Sequence, residues 1–284
     1  INFMRDVQDA KISIDRLGEI HDKENEERPN GQQITDIPKV ADLSLEDVSF
    51  RYRGGFEWVI KDLSLNIPAN KTTAIVGVSG SGKTTLMKLL LHFYNPNQGE
   101  IRINDFNLNN VSLKAWRNHC GVVMQEGYIF NDTIASNIAV SGEVIDRDRL
   151  LNAMEVANIT GFINSLPLGY NTKIGNEGVG LSTGQKQRLL IARAVYKNPR
   201  FLFFDEATSA LDANNEKTIM ANLNTFFTNK TVVVIAHRLS TVKNAHQIVV
   251  LDKGRIIETG NHEELIARKG NYYHLVKNQL DLGK

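Results

Sequence analysis

The chain has 284 residues, 42% of them hydrophobic, with 33 basic against 32 acidic side chains and a formal charge of +1. This is an ordinary soluble composition, at a length that buries a substantial core as one large domain or two small ones. Near-balance of charge gives no reason to expect a polyanionic partner, the single cysteine rules out an internal disulfide, and no uninterrupted run of about 18 apolar residues offers a membrane span.

The start at Ile1 without a methionine or signal-peptide pattern points to an excised fragment. Residues 1–28 read as a helix, because Phe3, Val7, Ala10, Ile14 and Leu17 recur at three- and four-residue steps with charges between them. The pattern fits an amphipathic surface helix or the tail of a longer element, and periodicity does not choose between them. A charge-rich stretch closed by Pro29, Asn30 and Gly31 then leads, as a linker, to about Pro38. Residues 43–52 read as a strand whose alternation slips near Glu46 and Asp47, as a bulge allows. Residues 53–55 turn the chain into a second strand, 59–67, with Leu63, Leu65 and Ile67 on one face. Residues 72–76 are short, apolar and β-rich and run into a glycine-rich loop and a helix to about 91. A turn over 95–99 precedes another short strand, 100–103. The compact apolar runs 121–124, 201–204, 232–235 and 248–251 suit the centre of a sheet covered on both faces. Cys120 beside the first of them is expected to be buried and inert. The interval from about 130 to 197 lacks a comparable strand. It carries helical patterns over 147–157, 161–166 and 185–197, which predicts a mostly helical subdomain, about 126–198, inserted between core strands.

Gly77-Val78-Ser79-Gly80-Ser81-Gly82-Lys83-Thr84 fits the Walker A pattern completely and lies between a predicted strand and a predicted helix. Glycines allow a tight backbone cradle, and successive amides with the following helix N-terminus point at phosphate oxygens. Lys83 supplies positive charge near the β- and γ-phosphates, and the Thr84 hydroxyl is a ligand for Mg²⁺. The expected nucleotide contacts are Gly77, Ser79, Gly80, Ser81, Gly82, Lys83, Thr84 and Thr85. Further on, the run 201–204 delivers Asp205 and Glu206 at a strand's carboxyl end, where open α/β sheets bind ligands. Two adjacent carboxylates avoid repulsion by dividing the work. Asp205 holds Mg²⁺ through its water shell, and Glu206 orients the attacking water or accepts its proton.

The remaining motifs carry a family resemblance. Leu181-Ser182-Thr183-Gly184-Gln185, followed by Lys186-Gln187-Arg188, resembles the ABC signature sequence, departing from it at Thr183, where glycine is common. Gln125 resembles the Q-loop glutamine, residues 209–212 ending in Asp212 resemble the D-loop, His237 resembles the switch histidine, and Tyr52 the aromatic that stacks on adenine. Standing in family order along residues 43–265, the set is similar to ABC ATPases. The resemblance implies an α/β P-loop NTPase of the ABC ATPase type, with a RecA-like core, an antiparallel β subdomain and an inserted helical subdomain. It implies an ATPase using ATP and Mg²⁺, with Glu206, His237, Lys83 and Gln125 in catalysis and Thr84, Gln125 and Asp205 at the metal. His237 is expected at the γ-phosphate. Ser182, Gly184, Gln185 and Asp212 are expected at an ATP shared with a second copy of the domain, the two paired head to tail.

Residues 8–20 resemble the segment that joins the last membrane helix to the nucleotide domain in fused exporters. That implies a helical connector over 1–38, an ATP-binding domain over 39–284, and a transmembrane domain of the same parent chain as partner. Residues 172–178 resemble the exporter loop before the signature, with Lys173 and Asn176 where glutamates are usual and Glu177 one position on. The fuller likeness is to bacterial peptide, bacteriocin and toxin exporters, some of which carry a cysteine-peptidase domain. The implied role is to power export of a peptide or protein at the cytoplasmic face of the cell membrane, the fragment itself being soluble. Lipid and drug exporters share nearly all these motifs and stand as the alternative. Soluble ABC ATPases acting on nucleic acid stand further off, since they usually pair two cassettes or insert a long coiled coil, and no nucleic-acid partner is expected.

Overall fold

A computed structural model of the chain describes residues 2–22, 33–140, 144–175, 178–208, 211–236 and 239–282. The chain falls into two compact units, Ile1–Gln33 and Ile34–Lys284. The first contains helix α1 (Asn2–His21). Its apolar residues Phe3, Val7, Ile14 and Leu17 are all exposed. The part of the expected helix beyond 22, and the linker to 32, lie outside the described residues.

In chain order the second unit runs through β1 (Leu43–Phe50), β2 (Ile60–Ile67), β3 (Thr72–Val76), α2 (Lys83–Leu90), β4 (Gln98–Ile103), β5 (Phe106–Asn107), α3 (Leu113–His119) and β6 (Cys120–Val123). Next come β7 (Asp132–Thr133), α4 (Ile134–Ala139), α5 (Arg147–Val156), α6 (Thr160–Asn164), β8 (Lys173–Ile174) and α7 (Thr183–Lys197). The chain then returns through β9 (Phe201–Asp205), α8 (Ala213–Phe226), β10 (Thr231–Ile235), α9 (Leu239–Val242), β11 (Gln247–Asp252), β12 (Arg255–Gly260), α10 (His262–Arg268) and α11 (Asn271–Leu282).

The main sheet has the order β12-β11-β3-β10-β9-β6, parallel except for the β11–β12 pair. Every residue of β9 and β10 is buried, and the period of two divides them between two cores. Leu202, Phe204, Val232 and Val234 face one core, which takes in α4, α5 and α7. Phe201, Phe203, Val233 and Ile235 face the other, shared with α2 and the antiparallel sheet β2-β1-β4-β5. This is why the runs read as unbroken hydrophobic stretches instead of alternating ones. The slip in β1 is a bulge. Asp47 takes a positive φ of 48° and the register with β2 shifts between Leu45 and Val48, so Leu43, Leu45, Val48 and Phe50 all turn inward. The strand ends at Phe50 and leaves Tyr52 beyond the ladder. Ile34 already pairs with Val111 within this unit.

Helix α3 holds Trp116, fully buried, which packs on Phe201 at 4.9 Å between ring centroids. Its indole N–H donates to the Leu90 carbonyl at 3.0 Å, satisfying an acceptor that the end of α2 leaves free. Between β6 and β9 the described residues are mainly helical, and the two-residue pair β7–β8 is in strand form. Asn137 is fully buried there. It accepts from the Phe130 amide at 2.8 Å and donates to the Phe130 and Thr133 carbonyls at 2.9 and 3.0 Å. Arg193 of α7 donates to the carbonyls of Asn137 and Tyr128 at 2.8 and 3.0 Å. The loop after Gln125 is thereby fastened to α7. Cys120 is buried at the head of β6, and burial pushes its thiol well above the ordinary value.

Candidate functional site

The site grows from the end of β3. Gly77 has no room for a side chain where it stands, and Gly82, at a φ of 107°, would hold one only under strain. A Cβ on Gly77 would meet the Leu251 carbonyl oxygen at 2.1 Å, and one on Gly82 would meet Ile60 Cδ1 at 2.9 Å and the Val59 oxygen at 3.1 Å. Gly80 differs. Its φ of 78° is left-handed, yet a Cβ there would meet nothing within 4 Å, so the cradle is open in front of it. Ser79 lies exposed at the rim, while Ser81 is 1% exposed and its hydroxyl oxygen has no hydrogen-bond partner. An orphaned buried hydroxyl and an unfilled glycine cradle at a helix N-terminus are what a phosphate-bearing ligand would satisfy.

Lys83 opens α2 and is 6% exposed. Its ammonium donates to the carbonyls of Gly77 and Val78, both at 2.9 Å. Burial pushes its pKa below the ordinary 10.5, while the charges of Glu206 and Asp205 pull the other way. Thr84 Oγ1 donates to Asp205 Oδ2 at 2.9 Å, joining the phosphate loop to the end of β9. Asp205 is 1% exposed. Glu206 follows with a positive φ of 51° and donates its amide to the Ile235 carbonyl at 3.1 Å. A left-handed glutamate is costly backbone held by its surroundings, a form that concentrates at functional sites. Gln125 Nε2, just past β6, donates to Glu206 Oε2 at 3.3 Å. Three parallel strands thus converge Lys83, Thr84, Asp205, Glu206 and Gln125 at their carboxyl ends. Among the described residues no group of three or more His, Cys, Asp or Glu could cage a metal. The hydroxyl, carboxylate and amide oxygens of Thr84, Asp205 and Gln125 suit instead a hard cation that keeps water and substrate oxygens as its other ligands.

Tyr52 reaches the same helix from the antiparallel side, its hydroxyl 3.0 Å from Thr85 Oγ1. Ser182 and Asp212 each stand at another helix start. Ser182 caps α7 in a reciprocal box with Gln185, accepting from the Gln185 amide at 3.2 Å and donating its own amide to Gln185 Oε1 at 2.9 Å. The Gln185 side chain is therefore engaged in the cap, and Gly184 lies inside the first turn. Asp212 caps α8, accepting from the Asn215 amide at 3.0 Å and the Asn215 carboxamide at 2.6 Å. These bonds hold its carboxyl below the ordinary carboxylate value. His237 lies outside the described residues, as do Ser209 and Ala210 before Asp212 and Asn176 and Glu177 in the loop before α7. Sequence reasoning missed Asn137 and Arg193. Their types carry no local signal, since a buried Asn in a short helix declares itself only through its tertiary partners.

A family model described as "ABC transporter" matches residues 60–209. The chain is 43% identical over 273 residues to the alpha-hemolysin translocation ATP-binding protein HlyB of Escherichia coli O157:H7, covering 96% of this chain and 38% of the relative. It is 46% identical over 242 residues to the ATP-dependent lipid A-core flippase of Mannheimia succiniciproducens, covering 85% of this chain and 41% of that protein. A solved structure of a bacterial Atm1-family ABC exporter with ATP bound superposes with a TM-score of 0.87 at 36% identity, over 98% of this chain and 49% of the other. The chain spans less than half the length of each of these proteins.

Proposed function

The chain belongs to the ABC transporter family, and on that premise we propose that it is the ATP-hydrolysing domain that powers an exporter. The observation that carries this reading is the Thr84–Asp205 hydrogen bond of 2.9 Å. It brings the phosphate loop and the acidic strand end into one site, with Lys83 and Glu206 alongside. ATP would lie with its phosphates over Gly80 and the α2 N-terminus. Lys83 would exchange its two carbonyl acceptors for phosphate oxygens, a change its compact, charged head tolerates. Glu206 would orient the attacking water and take its proton, with Gln125 steadying the carboxylate through the 3.3 Å bond. Thr84, Asp205 and Gln125 would hold Mg²⁺, whose charge would offset that of the phosphates. His237 would complete the γ-phosphate contacts.

Ser182 and Gly184 at the start of α7, with Asp212 at the start of α8, would serve the ATP of a second copy paired head to tail. A helix N-terminus offers free amides to an anion. The first unit would be the connector from a transmembrane domain of the parent chain, which puts this domain at the cytoplasmic face of the membrane. Among the described residues no helix is long and apolar enough to cross a membrane. A peptide or protein cargo is favoured by the likeness to the haemolysin translocation protein along nearly the whole chain. A lipid cargo is the second reading, supported by the 46% identity to the flippase. The test is hydrolysis by the purified chain. Turnover is expected to require Mg²⁺ and to fall about 100-fold or more in Lys83→Ala and in Glu206→Gln. Turnover near the parental rate in either variant would remove that residue from the mechanism.

A further inference from the structure

We propose that Thr85 is a positioning residue for nucleobase binding. Its hydroxyl ties Tyr52 to the phosphate-loop helix, so that the aromatic face is set before nucleotide arrives. This rests on the reading of Tyr52 as the residue that stacks on adenine. The backbone at Tyr52 does little to aim the side chain. Tyr52 lies two residues past the end of β1. A turn follows at once, with Gly54 at a φ of 81° and the Gly55 amide donating to the Tyr52 carbonyl at 2.9 Å. Beyond it Phe56 is 95% exposed. A ring hung on such a turn needs outside contacts to keep one orientation.

Among the described residues, three contacts hold the ring. Phe50 and Tyr94 meet the Tyr52 ring at centroid distances of 5.0 and 5.3 Å, with interplanar angles of 81° and 90°. Neither ring stacks in parallel on Tyr52, so neither occupies the mode that a base would use. The third contact is directional. The Tyr52 hydroxyl and Thr85 Oγ1 share a hydrogen bond of 3.0 Å in which either can donate. Thr85 is 8% exposed and sits in the first turn of α2, next to Thr84 and two residues past Lys83. The bond therefore links the base platform to the phosphate site through a single rigid helix turn. Holding the ring in advance removes an ordering cost that would otherwise fall on binding. The Tyr52 hydroxyl thus has a task apart from the stacking face.

A base-free ligand separates this role from any direct contact of Thr85 with phosphate. Dissociation constants for Mg²⁺-ATP and for inorganic tripolyphosphate are to be measured on the full chain. The variants are Tyr52→Phe, Thr85→Val, the double variant, Thr85→Ser and Tyr52→Ala. The measured quantity is the preference for ATP over tripolyphosphate. Tyr52→Phe and Thr85→Val should each lower it about fivefold, the usual value of one neutral hydrogen bond. The double variant should fall no further than either single one, and Thr85→Ser should restore the parental preference. Tyr52→Phe should leave tripolyphosphate binding unchanged. Losses that multiply in the double variant, or tighter ATP binding in Tyr52→Phe, would overturn the proposal while leaving base stacking intact. Parental ATP affinity in Tyr52→Ala would instead overturn the stacking reading, and the proposal with it.

Discussion

The two glycines Gly77 and Gly80 should separate folding from binding. In Gly77→Ala the new methyl would stand 2.1 Å from the Leu251 carbonyl oxygen and 2.8 Å from Ser81 Oγ. The first of these belongs to the backbone of β11, which pairs with both β3 and β12 and has no freedom to withdraw. Overpacking costs about 1–3 kcal/mol, and backbone strain at a φ of 154° adds about 1–3 kcal/mol more. The combined loss of about 2–6 kcal/mol corresponds, for a chain of this size, to a fall of about 4–24 °C in the unfolding midpoint. Gly80→Ala meets no atom and suffers only the left-handed φ of 78°, about 1 kcal/mol and about 2–4 °C. Its methyl would project into the open cradle and displace phosphate. ATP affinity should therefore drop at least tenfold in Gly80→Ala while the fold is nearly retained. Calorimetric melting without nucleotide, paired with titration of ATP at a temperature where both variants are folded, measures the two effects. Equal melting losses in the two variants would refute the packing argument. Parental ATP affinity in Gly80→Ala would refute the placement of phosphate over Gly80.

Two further expectations concern pairing and alkaline stability. A mixture of Lys83→Ala and Ser182→Arg copies should regain hydrolysis that neither has alone, because a mixed pair keeps one composite site intact; no recovery at any mixing ratio or concentration would rule out the shared site. Tyr272 is 1% exposed, its hydroxyl 2.8 Å from His262 Nδ1, and burial pushes its pKa from 10.0 to about 12. The folded state then holds a proton that the unfolded chain releases, so this contribution is complete below pH 10.0 and fades as pH rises toward about 12. Urea unfolding at pH 9 to 12 should show a shallower decline for Tyr272→Phe than for the parent, and identical declines would show that Tyr272 does not titrate in that range.

The parallel core was legible because its strands are buried on both faces, so 201–204 and 232–235 announce themselves by composition alone. The phosphate loop was legible because its chemistry is local, with one strand, one turn and one helix start inside a dozen residues. At the start of α7 the structure adds a capping box closed by Ser182 and Gln185. What stayed hidden depends on partners far along the chain. Trp116 and α3 could not be assigned without the Leu90 carbonyl and Phe201. The docking of α11 rests on Glu258 in β12, whose carboxylate accepts from the Tyr272 amide at 3.1 Å. The Tyr52–Thr85 bond joins two elements from different sheets' ends, and no pattern along the chain foretells it. The left-handed φ of Glu206 is equally silent in sequence, since the residue type disfavours it.

The fastening of the Gln125 loop to α7 has a chemical character of its own. Arg193 makes it with neutral acceptors, the Asn137 and Tyr128 carbonyls and, at 3.3 Å, the Asn137 amide oxygen. Burial lowers its pKa below the ordinary guanidinium value, but a guanidinium stays charged throughout the physiological range. A clasp of this kind contains no carboxylate to protonate, and its part-buried bonds to Asn137 are little screened by added ions. Acidification or salt that loosened ordinary ion pairs would leave the Gln125 loop and the Ser182 helix moving as one piece. Ionic conditions that alter turnover would then have to act elsewhere, on the open phosphate cradle or on the meeting of two copies.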